Sequence, residues 1–330
     1  PGDDIVSRLF VLHIMLLPAI VIALIGVHMV LLIVNKHTQF AGPGKTNDNV
    51  VGAPIMPLFA AKAGSFFFIV FGVVVLIAST FTINPIWAYG PYDPSPVSAG
   101  TQPDWYIGFA DGALRLAPGL ESEIFGLTLS WNILIPMAVL GAFIVLVMFY
   151  PFIEQWITGD KREHHIAERP RNNPTRTAIG AAGILFYAVL WAAASSDLIA
   201  THFQLNVFQV TWWLQATLIL GPIVTFWLTR RIALGLQKKD REILLHGYES
   251  GNIRRLPGGE YVEVHQQLDE YESWKLKAFD SYEPVMVRPN AKGKITPATH
   301  ARAALTRWFF EDRIAPVSRG ELEAAKHDQH

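Results

Sequence analysis

The stretch Leu9–Val34 has the sequence LFVLHIMLLPAIVIALIGVHMVLLIV, an unbroken apolar run that contains two histidines. A helix needs about 20 apolar residues to cross the hydrocarbon core of a bilayer, so this run predicts a membrane span. His13 and His28 are its only ionisable side chains, and such groups inside a span are costly and usually functional. The run therefore predicts an integral membrane protein and marks its first candidate site.

The two histidines are spaced so that they could act together. At about 1.5 Å per residue, the interval from His13 to His28 is roughly 22 Å along the helix axis. Fifteen steps of about 100° amount to four turns plus roughly 60°, so both rings lie near one face. A lone membrane histidine can simply bond to a neighbouring helix, but two at this spacing predict axial ligands for two stacked haems. No other predicted span contains a histidine, so the second ligand of each iron is expected from outside this sequence.

The composition excludes several classes of function. The 330 residues are 51% hydrophobic and 17% charged, and a net charge of −1 gives no reason to expect nucleic-acid binding. Because the sequence has no cysteine, it cannot form disulfides, thiolate zinc sites, iron–sulfur clusters or covalent c-type haem links. The sequence begins at Pro1 with neither an initiator Met nor a signal-peptide pattern, and we expect it to be part of a longer protein.

Five apolar segments predict an all-α protein that crosses the membrane five times. Lysine and arginine are concentrated in the connections 35–63 and 154–177 and after residue 228, whereas 84–126 and 195–206 contain only Arg115. Basic connections stay in the cytoplasm, so the N-terminus is predicted outside and the C-terminus inside. The five segments are Leu9–Val34, Gly64–Ile83, Leu127–Ile153, Ala178–Ala194 and Val207–Leu228.

The sequence divides into three predicted parts. Residues 1–35 form the histidine-bearing span, residues 36–235 carry four spans and a long outer loop, and residues 236–330 form a charged extension. The extension has one brief apolar patch, Leu305–Phe310, and is predicted to be a soluble, partly ordered segment at the cytoplasmic face. Its composition does not distinguish a docking surface from a solvated tail.

A second candidate site lies in the outer loop, in the sequence Pro103-Asp104-Trp105-Tyr106. A Pro-Asp pair before aromatic residues often only begins a short helix, where the aspartate complements the helix dipole. The same residues also offer a carboxylate beside aromatic surface at the bilayer edge. That combination suits oxidation of a quinol, an apolar ring that must give up hydroxyl protons. Asp111, seven residues further on, is either a second proton acceptor or a helix-surface charge.

Arg8 lies five residues before His13, at the predicted outer end of the first span. An arginine at this depth can anchor the helix at the interface while its apolar stem stays in the bilayer. It can also serve as a counter-charge for haem propionates. The sequence leaves both interpretations open.

These motifs resemble the cytochrome b family, the membrane core of quinol:cytochrome c oxidoreductases. The segment Arg8–His13, the pair Leu17-Pro18 and His28 resemble its fourth transmembrane helix, with the histidine interval of the cytochrome b6 form, one residue longer than in mitochondrial relatives. Residues 103–106 are similar to the family's Pro-Glu-Trp-Tyr quinol-oxidation motif with Asp in place of Glu, and Leu114–Pro118 to the segment after it. The Asp variant and the long extension resemble the actinobacterial branch, whose complexes use menaquinol and bind an aa3-type cytochrome oxidase.

The resemblance implies a role for each candidate residue. His13 would ligate the low-potential haem b near the outer face, and His28 the high-potential haem b nearer the cytoplasm. Asp104 would take a quinol proton in a pocket lined by its motif neighbours Pro103, Trp105 and Tyr106.

At the inner quinone site the sequence departs from the family. Relatives often have an acid directly after the lysine that matches Lys62, whereas this sequence has Ala63. Lys36 and His37 are the nearby candidates. The family core has eight spans, and the first three, which carry the other two haem ligands, have no counterpart in this sequence.

The implied activity is oxidation of (mena)quinol at an outer site, with electrons passing through two b haems to an inner quinone and protons moved across a bacterial plasma membrane. The implied partners are a Rieske iron–sulfur subunit, a c-type cytochrome subunit and an aa3-type cytochrome oxidase, in a dimeric complex embedded in the lipid bilayer. The Rieske centre cannot lie in this cysteine-free chain.

Two alternatives stay open. A cytochrome b6f-like core shares the histidine interval, but there the chain break follows the first span of this sequence, whereas here the first two spans are continuous. A haem-free membrane anchor or transporter subunit would use His13 and His28 in a proton relay, although the sequence lacks the repeats and interrupted helices of transporters. Haem content separates these classes.

Overall fold

The computed structural model of the protein describes residues 4–81, 87, 91, 104–277, 295–310, 314 and 317–327. The described residues form two compact units. The first unit takes its residues from 1–52, 162–168 and 247–279, and the second from 53–161, 169–246 and 280–330. The three-part division of the sequence stays a prediction.

Five helices are long and apolar enough to cross a membrane, which confirms the all-α membrane protein with five spans. Most of their large apolar side chains are exposed on the chain, so this surface is available to lipid or to other helices. The spans are Asp4–Asn35, Ile55–Thr80, Trp131–Thr158, Pro174–Ala193 and Val207–His246.

The helices and strands of the described residues are numbered here in chain order. Up to the third span they are α1 (Asp4–Val11), a π turn (Leu12–Leu16), α2 (Leu17–Asn35), a second π turn (Ile55–Phe59), α3 (Ala60–Thr80), a 3-10 turn (Trp105–Ile107), α4 (Gly108–Leu116), β1 (Glu121–Ile124) and β2 (Leu127–Ser130). They continue with α5 (Trp131–Thr158), a 3-10 turn (Pro170–Asn172), α6 (Pro174–Ala193), α7 (Ser196–His202), α8 (Val207–His246), β3 (Tyr248–Arg255), β4 (Tyr261–Gln266), α9 (Glu270–Lys277), α10 (Pro297–Phe310) and α11 (Arg319–His327).

The helix ends differ from the ends of the apolar segments. Leu127–Ser130 was expected at the start of the third span, but it pairs with β1 in an antiparallel hairpin. Its turn consists of Phe125 and Gly126, both at positive φ (53° and 75°), the backbone that a tight hairpin of this twist requires. At the other extreme, α8 continues 18 residues past Leu228, to His246. Hydropathy detects the part of a helix that lies in lipid, whereas a helix ends where its backbone hydrogen bonds end.

The second unit has a small core where α4 packs against α6. The core consists of Ala113, Leu116, Leu190 and Ala193, all nearly inaccessible to solvent. Around them pack partly buried side chains from α4, α5, α6 and α8, namely Phe109, Val139, Phe186, Tyr187, Leu214 and Leu218. This core holds α4, and with it the loop of the second candidate site, against the spans.

The extension is packed against the second unit through α10 and α11. Thr306 is fully buried and donates a 2.6 Å hydrogen bond to the carbonyl of Ile157, in the last turn of α5. Arg302 donates to the carbonyl of Trp156 at 2.8 Å, so both side chains cap carbonyls that a helix end leaves unpaired. An ion pair between Arg241 of α8 and Glu321 holds α11. These two helices are therefore docked elements, not a solvated tail.

The first unit is organised around Gln39, which is 7% exposed. Its backbone bonds to His165 and Ala167, and its side chain bonds to Thr46, Asn49 and Val51. The indole of Trp274 donates to the carbonyl of Lys45, so α9 is fixed to the same loop.

Candidate functional site

His13 lies in the π turn of the first span and His28 in the regular helix α2. Both imidazoles are exposed on the span, and neither has a hydrogen-bond partner among the residues that the structure describes. Two unpaired polar rings in an apolar helix are costly unless something outside the helix binds them. The structure thus leaves both rings available as ligands.

The π turn changes the geometry expected from a uniform helix. The amide of Leu17 donates to the carbonyl of Leu12, five residues back instead of four. Pro18 follows directly; it has no amide to donate, and its ring crowds the carbonyl four residues before it, which favours a widened turn here. A π turn is in effect one residue inserted into an α-helix. Fourteen regular steps of about 100° then separate the histidines by four turns less roughly 40°, instead of four turns plus about 60°.

This arrangement fits two haem groups, one at each histidine. Neutral imidazole is a usual axial ligand of haem iron, and the rings lie near one face at different depths. No group of three or more His, Asp or Glu side chains converges anywhere in the described residues, so each histidine offers a single ligand, not a share of a compact metal centre.

The second candidate site is formed by Asp104 and Tyr106. A 3-10 turn at Trp105–Ile107 begins with the amide of Ile107 donating to the carbonyl of Asp104 at 3.0 Å. The turn lets the hydroxyl of Tyr106 donate to Oδ2 of Asp104 at 2.8 Å. This bond, together with the charge of Asp104, raises the pKa of the Tyr106 phenol above its usual value. The phenol therefore remains a donor to the carboxylate, and both side chains are exposed. Pro103 lies outside the described residues.

Asp111 is held by other partners. Its Oδ2 accepts a 2.8 Å bond from Nε of Arg115, one turn further along α4. Arg115 also donates to Asp197 at 2.9 Å. Asp197 lies in α7, the short helix between α6 and α8. This network favours the interpretation of Asp111 as a helix charge. The i, i+4 spacing of Asp111 and Arg115 is a sequence signal for the pair, but the third member, 82 residues away, gives none.

Two glycines bring α4 against α6. At Gly112 an added Cβ would lie 1.7 Å from the carbonyl oxygen of Leu190, and at Gly108 it would lie 3.0 Å from the ring of Trp191. The spacing is the small-xxx-small pattern of closely packed membrane helices, which sequence reasoning missed in GFADG. These glycines set the position of the turn that carries Asp104, directly before α4.

The remaining candidates lie at the two ends of the first span. Arg8 is 3.7 Å from Asp4, and both side chains are largely exposed, a weak pairing that leaves Arg8 free to be an anchor or a counter-charge. Lys36 ends α2 with φ 63° and ψ 170°, a backbone conformation that is strained for a residue other than glycine. His37 is exposed, with its Nδ1 3.1 Å from the carbonyl of Thr38.

Comparison with known proteins gives a consistent result. A family profile described as "Cytochrome b(N-terminal)/b6/petB" matches residues 1–91. The chain is 47% identical over 315 residues to the "Cytochrome bc1 complex cytochrome b subunit" of Streptomyces coelicolor, covering 94% of this chain and 58% of that protein. It is 45% identical over 268 residues to the protein of the same name from Mycobacterium bovis, covering 81% of this chain and 49% of that protein. The chain thus spans about half the length of the curated relatives it matches. With the five apolar spans and the paired histidines, these matches show that the chain belongs to the cytochrome b family, in the branch of the actinobacterial cytochrome bc1 complex subunits.

Proposed function

We propose that this chain is the quinol-oxidising, haem-binding part of the membrane core of a bc1-type complex. The observation that carries the proposal is the pair of unpaired imidazoles on one span, in a chain that also carries the Asp104–Tyr106 pair. Quinol:cytochrome c oxidoreductase activity, with menaquinol as the quinol, is the function that best accounts for both features.

Asp104 is the proposed base for the quinol. Its Oδ2 accepts the bond from Tyr106, so the other carboxylate oxygen is the one available to a quinol hydroxyl. A positioned carboxylate within hydrogen-bond reach takes the proton as the hydroxyl is oxidised, and the exposed position of Asp104 lets it pass that proton to water. Tyr106 orients the carboxylate, and Pro103 and Trp105 are proposed to line the slot for the ring.

His13 and His28 are the proposed ligands of the two haem b groups, low-potential and high-potential respectively. Haem b, when bound, supplies one-electron chemistry. The chain would hold both imidazoles near one face of a single helix, each at a fixed depth in the bilayer. The second axial ligands would come from a helix outside this sequence. Arg8 would balance propionate charge at the outer end.

Lys36 and His37 are proposed for the inner quinone site, at the opposite end of the same span. Three segments rich in lysine and arginine alternate along the chain with two that are poor in them. The positive-inside rule then puts residues 1–8 outside and the extension in the cytoplasm. Protons released at Asp104 and taken up near Lys36 would be moved across the membrane.

The proposed partners follow from this role. One electron from the quinol must leave to an iron–sulfur centre that a cysteine-free chain cannot hold, which requires a Rieske subunit. A c-type cytochrome subunit would receive that electron. A dimeric assembly and association with an aa3-type cytochrome oxidase rest on the resemblance to the actinobacterial branch.

The test uses reduced-minus-oxidised visible spectra and haem stoichiometry of the purified complex that contains this chain. Two b-type haems of different potential are expected. His13→Ala should remove the low-potential signal and His28→Ala the high-potential one, whereas the control His202→Ala, at an exposed histidine of α7, should keep both. Asp104→Asn should slow quinol oxidation and leave the spectra intact. A complex without b-type haem would overturn the proposal in favour of a proton relay.

A further inference from the structure

The apolar part of α8 ends in a cleft with a basic lining. The cleft has a volume of about 440 Å³ and is lined by Trp227, Arg230, Arg231, Leu234, Gly235 and Lys238. Trp227, Arg231, Leu234 and Lys238 follow one another at intervals of four, three and four residues, so they form one stripe along the helix. Apolar and cationic side chains alternate along this stripe, where the apolar part of the span ends.

The chemistry of the cleft changes along the helix axis. Trp227 is 57% exposed, and indole rings concentrate at the headgroup level of membranes. The guanidinium carbon of Arg231 lies 5.3 Å from the centre of the Trp227 ring, so the ring holds this cation beside the apolar end of the cleft. Lys238 lies about 10 Å further along the axis, away from the apolar part of the span.

Arg231 and Lys238, two cations of the cleft, differ from three other basic residues at this end of the unit. Arg169 and Arg171 both pair with Asp240 at 2.9 Å, and Arg241 pairs with Glu321. Across the part of the chain that the structure describes, no carboxylate pairs with Arg231 or Lys238. The paired cations stabilise the fold, whereas these two are left for an anion that the chain does not supply.

We propose that this cleft binds an anionic phospholipid from the leaflet on the basic side of the protein. Its phosphate would lie between Arg231 and Lys238, which suit phosphate oxygens by charge-assisted hydrogen bonds. Its acyl chains would run past Trp227 along the exposed apolar surface of α8. Basic pockets beside membrane helices are suited to such headgroups, and the apolar ring adjoining the cations selects a lipid over a soluble anion. The site is independent of quinol and haem binding.

The test measures lipid retention by the intact complex. The complex is reconstituted in nanodiscs with phosphatidylglycerol and phosphatidylcholine, extracted mildly, and its retained lipid counted by native mass spectrometry. The double variant Arg231→Gln/Lys238→Gln should retain phosphatidylglycerol roughly 30-fold more weakly, at about fivefold per surface cation removed. The control Lys239→Gln removes one positive charge from a different face of α8 and should retain the lipid normally.

Three results would overturn the proposal. The double variant could retain phosphatidylglycerol as the unmodified complex does. The double variant and Lys239→Gln could weaken the retention of phosphatidylglycerol by the same factor for each charge removed, which would indicate unspecific attraction to the basic segment. Millimolar inorganic phosphate could displace the lipid, which would make the cleft a site for free anions. The charge-conserving variant Arg231→Lys/Lys238→Arg is the control for misfolding. It changes both side chains but should still retain phosphatidylglycerol.

Discussion

The hydroxyl of Tyr106 donates a 2.8 Å hydrogen bond to Oδ2 of Asp104, across a single 3-10 turn. The bond engages Oδ2, so in the proposed site the other carboxylate oxygen of Asp104 is the one expected to accept from the quinol. We expect Tyr106→Phe to slow quinol oxidation about tenfold, because the carboxylate of Asp104 loses the donor that orients it. Stopped-flow quinol oxidation by the complex checks this. Spectra of the b haems should not change, and a rate equal to that of the unmodified complex would remove Tyr106 from the site.

Substitution of Asp111 distinguishes its two interpretations, a proton acceptor and a helix-surface charge. Because it is paired with Arg115 at 2.8 Å, Asp111→Asn should leave quinol turnover within about twofold and destabilise the unit by no more than about 1 kcal/mol, as expected for a partly exposed ion pair. Turnover and thermal unfolding of the complex measure the two effects. A loss of turnover as large as that of Asp104→Asn would restore Asp111 as a proton acceptor.

Gly112 tests whether the packing of α4 positions the quinol site. Gly112→Ala places a Cβ 1.7 Å from the carbonyl oxygen of Leu190, so α4 must shift away from α6. Since a displacement of about 1 Å can cost roughly 100-fold in rate, we expect a comparable loss of quinol oxidation with both haems retained. The matched control is Gly183→Ala, also in the second unit, where an added Cβ has no neighbour within 4 Å. Equal rates in the two variants would contradict the positioning role.

The π turn predicts different outcomes for two single-residue deletions. Deleting Met15 removes the inserted residue, so fourteen α-helical steps still separate the histidines and both haem signals should persist. Deleting Val21 shortens the interval equally but keeps the π turn, which leaves thirteen regular steps and turns the rings roughly 140° apart. We expect that variant to lose one b-type haem signal. Retention of both signals in the Val21 deletion would show that the turn does not set the orientation of His13.

The docking of α11 should weaken in acid. Ser318 and Glu321 form a capping box, in which the amide and hydroxyl of Ser318 donate to Glu321 Oε2 and the amide of Glu321 donates back. These bonds from Ser318, together with Arg241, lower the pKa of Glu321 from 4.5. A carboxyl with a lowered folded pKa stabilises the fold above its unfolded pKa, and this contribution is lost as the pH falls from about 4.5 through the folded value.

Hydrogen-exchange protection of the α11 amides, measured from pH 7 to pH 3, checks this expectation. Protection should fall below about pH 4.5 in the unmodified chain, and Glu321→Gln should show low protection throughout. Glu323→Gln, two residues away, is the control and should follow the unmodified chain. Protection that does not depend on pH would show that α11 is held by contacts other than the capping box.

The spans and the candidate histidines were predictable because each depends on residues close together in the sequence. Apolar runs of about 20 residues satisfy their backbone groups in lipid as helices, and the count of five was confirmed. The proximity of Asp104 and Tyr106 is equally local, two residues within one turn. The ends of the spans were not predictable from hydropathy, as β2 and the long continuation of α8 show.

The extension shows where the sequence carries only a local signal. Thr306 is a polar residue in a charged segment, yet it is fully buried, because it caps a carbonyl of α5 that lies 149 residues earlier in the chain. The apolar patch Leu305–Phe310 around it does not indicate which helix it packs against. Only the folded chain shows that this part of the extension is docked.

The five membrane spans and the two histidines near one face of the first span follow from the amino-acid sequence, since burial in lipid and helical periodicity act on consecutive residues. Which charges form ion pairs depends on how the helices pack. Arg115 is bound by Asp111 and Asp197, whereas no described carboxylate pairs with Arg231 or Lys238. The physical reason is that an ion pair or a glycine contact depends on distance in space. Residues 82 positions apart meet only after the helices have packed.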